Sequence, residues 1–232
     1  LELKQLDVLA VQETWHENPD SLSLLRAVPP GYSVLEAARQ SGHSSSNVLG
    51  ARAAVGGGVA IIYRSDFKMR KVVTLPTVDS FEYICGRLTA GVRTDVVILS
   101  VYRPGSRPIT ALFLEEFTEL LEGLATYRCP ILLLGDINFH LELDGDTHAI
   151  DFNELLESFD MCQQVSQPTH RAGGLLDVIV THCSDRVADI VLTEIGVSDH
   201  LLITCRLPVN VTSSEYIPPE GRKWKDFSIN DF

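Results

Sequence analysis

Short apolar runs, each closed by a turn or polar residue, constrain this chain more than any other feature. Nine of them, at 8–11, 58–63, 67–75, 83–88, 95–102, 131–134, 176–181, 189–192 and 201–207, are of strand length; many are rich in Val and Ile and bounded by Gly, Pro or Asp. Several lack apolar–polar alternation, which suits strands covered on both faces. Only one helix reads strongly. At 108–127, Ile109, Leu112, Phe113, Phe117, Leu120, Leu121 and Leu124 share one face, and Glu115, Glu116, Glu119 and Glu122 lie elsewhere. Pro108 suits a first turn and Pro130 prevents continuation. Shorter helices are expected at 150–159 and 19–27. The Ser-, Ala- and Gly-rich stretch 37–55 reads as a surface loop. Many strands with few helices between them argue against a doubly wound sheet. The expected fold is α/β in the α+β sense: two packed mixed β-sheets flanked by helices, a four-layer sandwich.

In such a sandwich, chemistry collects on the loops at strand ends. Here 8–11 runs into Gln12-Glu13-Thr14, 97–101 into Tyr102-Arg103-Pro104, and 131–134 into Gly135-Asp136-Ile137-Asn138. Pro168-Thr169-His170 precedes Leu176-Asp177-Val178-Ile179, and Ser198-Asp199-His200 opens the last strand. Taken singly, each has a plain reading. Glu13 is a solvated carboxylate, Asp136 and Asn138 close a turn, Tyr102 packs a rim, and His200 is a satisfied core histidine. Asp177 is harder to dismiss, because an unpaired carboxylate inside an apolar strand is costly, and a histidine is its natural partner.

The ordered set Q-E, Y-R-P, G-D-x-N, P-T-H…L-D and S-D-H resembles the endonuclease/exonuclease/phosphatase superfamily, the DNase I-like fold, over residues 6–208. Within it, Ser166-Gln167-Pro168-Thr169-His170, Gly173-Gly174-Leu175-Leu176-Asp177 and Ser198-Asp199-His200-Leu201-Leu202-Ile203 look most like the apurinic-type endonuclease domain of non-LTR, LINE-type retrotransposons. The tail, with Arg222-Lys223-Trp224-Lys225-Asp226-Phe227, looks like the connector from this domain toward a reverse transcriptase of the same polyprotein. The resemblance thus implies an endonuclease domain at 1–208 and a linker at 209–232. The family carries an Asn on a strand upstream of Q-E. Asn18 and Asn47 follow that motif, so the first strand and its Asn are expected to be missing.

The resemblance also implies roles. Glu13 and Asp199 would hold Mg²⁺, with Mn²⁺ as an alternative; a hard cation needs only one or two carboxylates because it keeps several waters. Asp136 would orient or deprotonate the attacking water, and Asn138 would aim its amide at a phosphoryl oxygen. Asp177 would hold His200, which acts as a cation on a non-bridging oxygen or as a general base. Tyr102 would donate its phenol toward the phosphate. Arg103 and Thr169 would bind substrate, with Arg64, Arg107 and Arg171 as further candidates along a DNA groove. The implied activity is nicking of target DNA to free a 3′-hydroxyl for target-primed reverse transcription, in the nucleus after passage through the cytoplasm. Two readings compete: an inositol-phosphate or sphingomyelin phosphoesterase of the same fold, and an inactive remnant.

Charge tempers the DNA reading. The net charge is −12, so bulk electrostatics does not draw this chain to a polyanion. The five cysteines are widely spaced, form no C-x-x-C pair and lie mostly in apolar runs, where a free thiol behaves as a small hydrophobe. They read as reduced. No apolar run approaches the roughly 18 residues of a membrane helix, and no membrane partner is expected.

Overall fold

The computed structural model describes residues 6–16, 18–19, 21–38, 57–90 and 95–209. The tail from 210 onward and nearly all of the loop expected at 37–55 lie outside the described residues. The strands are β1 (Val8–Gln12), β2 (Tyr32–Ala37), β3 (Val59–Arg64), β4 (Lys68–Lys71), β5 (Glu82–Thr89), β6 (Asp95–Tyr102), β7 (Ile131–Asp136), β8 (Met161–Gln163), β9 (Asp177–His182), β10 (Ala188–Thr193) and β11 (Leu202–Arg206). The helices are α1 (Leu22–Ala27), α2 (Ala111–Leu124) and α3 (Thr147–Ser158).

A six-stranded mixed sheet in the order β4-β5-β6-β7-β9-β8 forms the centre. Its β6–β7 pair is parallel, joined through α2, and the other pairs are antiparallel. β6 and β7 are buried along almost their whole length, as their unbroken apolar runs require. On one face, α2 and α3 pack through a cluster of Phe81, Phe113, Phe117, Phe139 and Phe152, with rings 5.0–5.7 Å apart. On the other face, Ile84, Ile98, Leu132 and Ile179 meet Val59 and Ile61 of the three-stranded sheet β1-β3-β2, and Ile203 and Cys205 of the β10–β11 pair. The sandwich of packed sheets with few helices is therefore as expected, but among the described residues only the six-stranded sheet is mixed, the pairs in β1-β3-β2 and β10-β11 all being antiparallel. Among the described residues, α1 buries none of its own side chains.

The differences are local. β2 and the three-residue β8 escape sequence patterning. β4 is shorter than 67–75, because the chain bends at Thr74 and Leu75 ahead of Pro76, which has no N–H for a ladder. α3 starts three residues earlier than expected, where the Asp146 carboxylate accepts from the His148 and Ala149 N–H groups at 2.9 and 3.0 Å. Two cysteines are not free: Cys162 in β8 and Cys183 just beyond β9 form a disulfide, with Cα atoms 5.3 Å apart. Antiparallel pairing of β8 with β9 brings together residues 21 apart in sequence, a proximity that spacing alone does not reveal.

Register places the polar strand ends. Tyr102 pairs with Asp136 across β6–β7, and Asp136 pairs with Asp177 across β7–β9. Residues paired laterally project to the same face. Tyr102, Asp136 and Asp177 thus form one row, facing the sheet that carries Glu13. Gly135 makes this row possible, because a Cβ there would lie 2.0 Å from the Val101 carbonyl oxygen of β6. The glycine of G-D-x-N lets two parallel backbones close just before the acid emerges.

Candidate active site

His200 stands between the two acids of that row. Its Nδ1 lies 2.8 Å from Asp177 Oδ2, and its Nε2 lies 3.9 Å from Asp136 Oδ2. The hydrogen bond that its Nδ1–H donates to Asp177 is the main reason the imidazole is pushed up to about 9, with Asp136 and Asp199 adding to it against partial burial. His200 is therefore cationic at neutral pH. Asp136 is 6% exposed. Burial first, and then repulsion by Asp177, push its carboxyl up to about 7 despite the opposing pull of His200. Asp136 and His200 therefore titrate as an interacting pair.

Asn138 supports Asp136. Its backbone N–H donates to Asp136 Oδ1 at 2.9 Å, and its amide donates to Asp136 Oδ2 at 2.8 Å and to the Arg103 carbonyl at 2.9 Å. The expectation that this amide is aimed at a phosphoryl oxygen is corrected: its donors are engaged on the protein, and it positions the acid. Tyr102, almost fully buried, donates its phenol to Glu13 Oε1, not toward open space. Burial and that bond raise the phenol above its ordinary range.

Glu13 is exposed and reaches the site from the end of β1. Gln12 Nε2 donates to Ser100 Oγ at 2.9 Å, tying β1 to β6, so the Gln of Q-E is an anchor. Trp15 Nε1 donates to Glu13 Oε2 at 3.3 Å. Glu13, Trp15 and Asn138 have φ of 52°, 56° and 51°, left-handed conformations that are rare outside glycine and that cluster at functional sites. Beneath the loop, His16 is buried, hydrogen-bonded through Nδ1 to Thr14 Oγ1 at 2.6 Å and paired with Glu36.

Two expected substrate contacts are corrected. Arg103 is 2% exposed and stacks on Phe139 at 5.0 Å. Its guanidinium donates to the carbonyls of Ile137 (2.6 Å), Arg107 (2.9 Å) and Asn138 (2.9 Å), so it braces the G-D-x-N turn from behind. Thr169 is 0% exposed. Its hydroxyl accepts from the Leu176 and Asp177 N–H groups, both at 3.1 Å, and so fixes the entry into β9. The other candidate arginines are engaged too: Arg64 with Asp66 and Asp7, Arg107 with the Asp79 carbonyl, and Arg171 with Glu194.

Asp199, expected to ligate metal beside Glu13, pairs with His170 Nε2 at 3.1 Å, a bond that lowers its pKa. His170 Nδ1 accepts from the Ala172 N–H at 3.1 Å, and its ring meets His200 edge-on at 4.9 Å. Among the described residues, two groups of acids and histidines are close enough to hold a metal: Asp136, Asp177 and His200, and His170, Asp199 and His200. Glu13 stands outside both. Its exposed oxygens beside the acidic row still suit a hard cation that keeps most of its water. His170, inside the P-T-H motif, and Trp15, two positions after Glu13, also contact the site, through Asp199 and His200 and through Glu13 respectively.

The model of the endonuclease/exonuclease/phosphatase family matches residues 1–200. Three similar solved structures are a Neisseria 3′ phosphatase, NExo, bound to product DNA hairpin, the human Nocturnin catalytic domain with bound sulfate anion, and a Bacteroides thetaiotaomicron mannosyl-6-phosphatase. The first is 17% identical with a TM-score of 0.61, covering 89% of this chain and 91% of its own. The second is 19% identical with a TM-score of 0.56, covering 88% and 80%. The third is 13% identical with a TM-score of 0.56, covering 87% and 85%. No curated protein matches the chain. At these identities the solved structures speak for the fold, and the family model speaks for the sequence over the same elements: the chain belongs to the endonuclease/exonuclease/phosphatase family.

Proposed function

We propose that this chain is a divalent-metal-dependent phosphodiesterase that nicks DNA. The observation that carries the reading is His200 held between Asp177 and Asp136. A cationic donor and a carboxylate poised near neutrality face one small volume, as hydrolysis of a phosphodiester by water needs. His200, kept charged by Asp177, donates from Nε2 to a non-bridging oxygen. Asp136, held by Asn138, orients the attacking water and takes its proton as the P–O3′ bond breaks; the departing 3′-oxygen is protonated from solvent. Tyr102 and Trp15 fix the Glu13 carboxylate. Glu13 would hold Mg²⁺ or Mn²⁺, which supplies charge neutralisation at the phosphate when bound.

The motif resemblance favours the retrotransposon branch. In that setting the nick leaves a 3′-hydroxyl that primes a reverse transcriptase carried on the same polyprotein, and the protein works in the nucleus. Conversion of supercoiled plasmid to open circle in Mg²⁺, run beside release of phosphate from inositol phosphates and of phosphocholine from sphingomyelin, tests this. Nicking that is lost in His200→Ala is the expected result. Turnover of either small substrate without nicking would move the chain to the other phosphoesterases of the fold, a reading its acidity favours.

A further inference from the structure

Trp15 is the large apolar side chain at the site that the hydrolytic chemistry leaves open to solvent. It is 61% exposed. An exposed indole on a slack loop would mean little, but this one is fixed at three points. Its backbone N–H donates to the Gly57 carbonyl at 2.9 Å, that of Thr14 donates to the Gly58 carbonyl at 3.2 Å, and its Nε1–H donates to Glu13 at 3.3 Å. The left-handed backbone at Trp15 is conformationally costly for a bulky residue. The indole edge is thus tied to Glu13 while much of the ring surface stays open. The positive charge that usually carries nucleic-acid affinity is scarce: the four candidate arginines are all engaged on acids or carbonyls, and the chain is at −12.

We infer that Trp15 is a stacking platform for a nucleobase next to the scissile phosphate, so that the enzyme prefers DNA in which that base is unpaired. A base still stacked in duplex has no free face to offer, whereas single-stranded or bulged DNA presents one without the cost of unstacking. Stacking onto an aromatic contributes about 1–3 kcal/mol per base and does not depend on counterion release, so it suits an acidic protein. The inference rests on the nucleic-acid reading above.

The test is equilibrium binding by the full chain, with Ca²⁺ as the cation, of a fluorescent dT octamer and of an equally long base-free tetrahydrofuran phosphodiester. Wild type should bind the dT octamer more tightly than the base-free oligomer. Trp15→Ala should weaken dT binding about 5- to 140-fold more than it weakens base-free binding, and Trp15→Phe, which lacks the same N–H bond to Glu13, should restore most of that excess. Equal dT binding by wild type and Trp15→Ala would overturn the inference. So would equal losses on both oligomers, because the tryptophan would then act only through Glu13 and not on the base. If wild type binds neither oligomer, the nucleic-acid reading fails, and the stacking role with it.

Discussion

The two halves of the site are built differently. Asp136 and Asp177 project from the buried centre of the six-stranded sheet, where β6 and β7 have apolar cover on both faces. Glu13 leaves β1, whose five residues are all only partly buried and which is the outer strand of a three-stranded sheet among the described residues. Groups that exchange protons with substrate need fixed mutual geometry, and a packed sheet supplies it through register. The Glu13 carboxylate, proposed to hold a hydrated cation, tolerates more freedom. It is steadied locally by Tyr102, Trp15 and two left-handed residues. The proton-transfer half should therefore govern kcat, and the Glu13 half should govern metal dependence.

The largest expected effect lies in the buried half. Asp136→Ala or His200→Ala should cut nicking by about 10²- to 10⁴-fold, as for loss of a positioned acid or base, with little change in the Mg²⁺ concentration for half-maximal rate. If either variant mainly shifts the metal requirement, the division of labour is wrong. On the other side, Glu13→Gln should raise the half-saturating Mg²⁺ concentration by at least about tenfold, and Tyr102→Phe by about tenfold through loss of an outer-shell hydrogen bond. Magnesium titration of both variants decides this, and unchanged values would remove Glu13 from the metal's keeping.

Stability separates the halves more finely. Thr169→Val leaves two buried N–H groups at the entry to β9 without an acceptor, a loss of about 1–3 kcal/mol. Calorimetry should show melting several degrees lower, whereas Arg171→Ala, a surface pair, should change it little.

Acidity gives a smaller effect with a definite sign. Nicking should rise as Asp136 loses its proton near pH 7 and fall as His200 loses its own near pH 9, as the limbs of one cluster. For stability, His200 is raised from 6.5, so its contribution is complete below about pH 6.5 and lost as pH climbs through about 9. Asp136 is raised from 3.8, so it costs nothing at low pH and destabilises progressively between about 4 and 7. Asp136→Asn should therefore be inactive yet melt higher than wild type at pH 8, and not at pH 4. Equal melting at both pH values would show that the buried charge is not strained.

Much of this was legible in the sequence because strand ends are punctuated. Gly135-Asp136-Ile137-Asn138 follows an apolar run, and a carboxylate at the head of an apolar strand, Asp177, needs a partner. Burial among polar residues was not legible. Arg103 and Thr169 look like substrate contacts because polar residues near strand ends usually face solvent, yet carbonyls of one turn and N–H groups of another claim them. The Cys162–Cys183 bond and the His170–Asp199 pair depend on contacts between segments 21 and 29 residues apart, and no local pattern encodes those. The strands missed were β2, only partly buried throughout, and β8, only three residues long.

The central claim is that Asp177, His200 and Asp136 act as one unit in cleaving a phosphodiester. A double-mutant cycle on plasmid nicking tests it most directly, with Asp177→Asn, His200→Ala and the pair measured under single-turnover conditions. A coupled unit predicts that each single substitution costs about 10²-fold or more and that the double is little worse than His200→Ala alone. Losses that multiply would contradict it and leave Asp177 a residue of the strand alone.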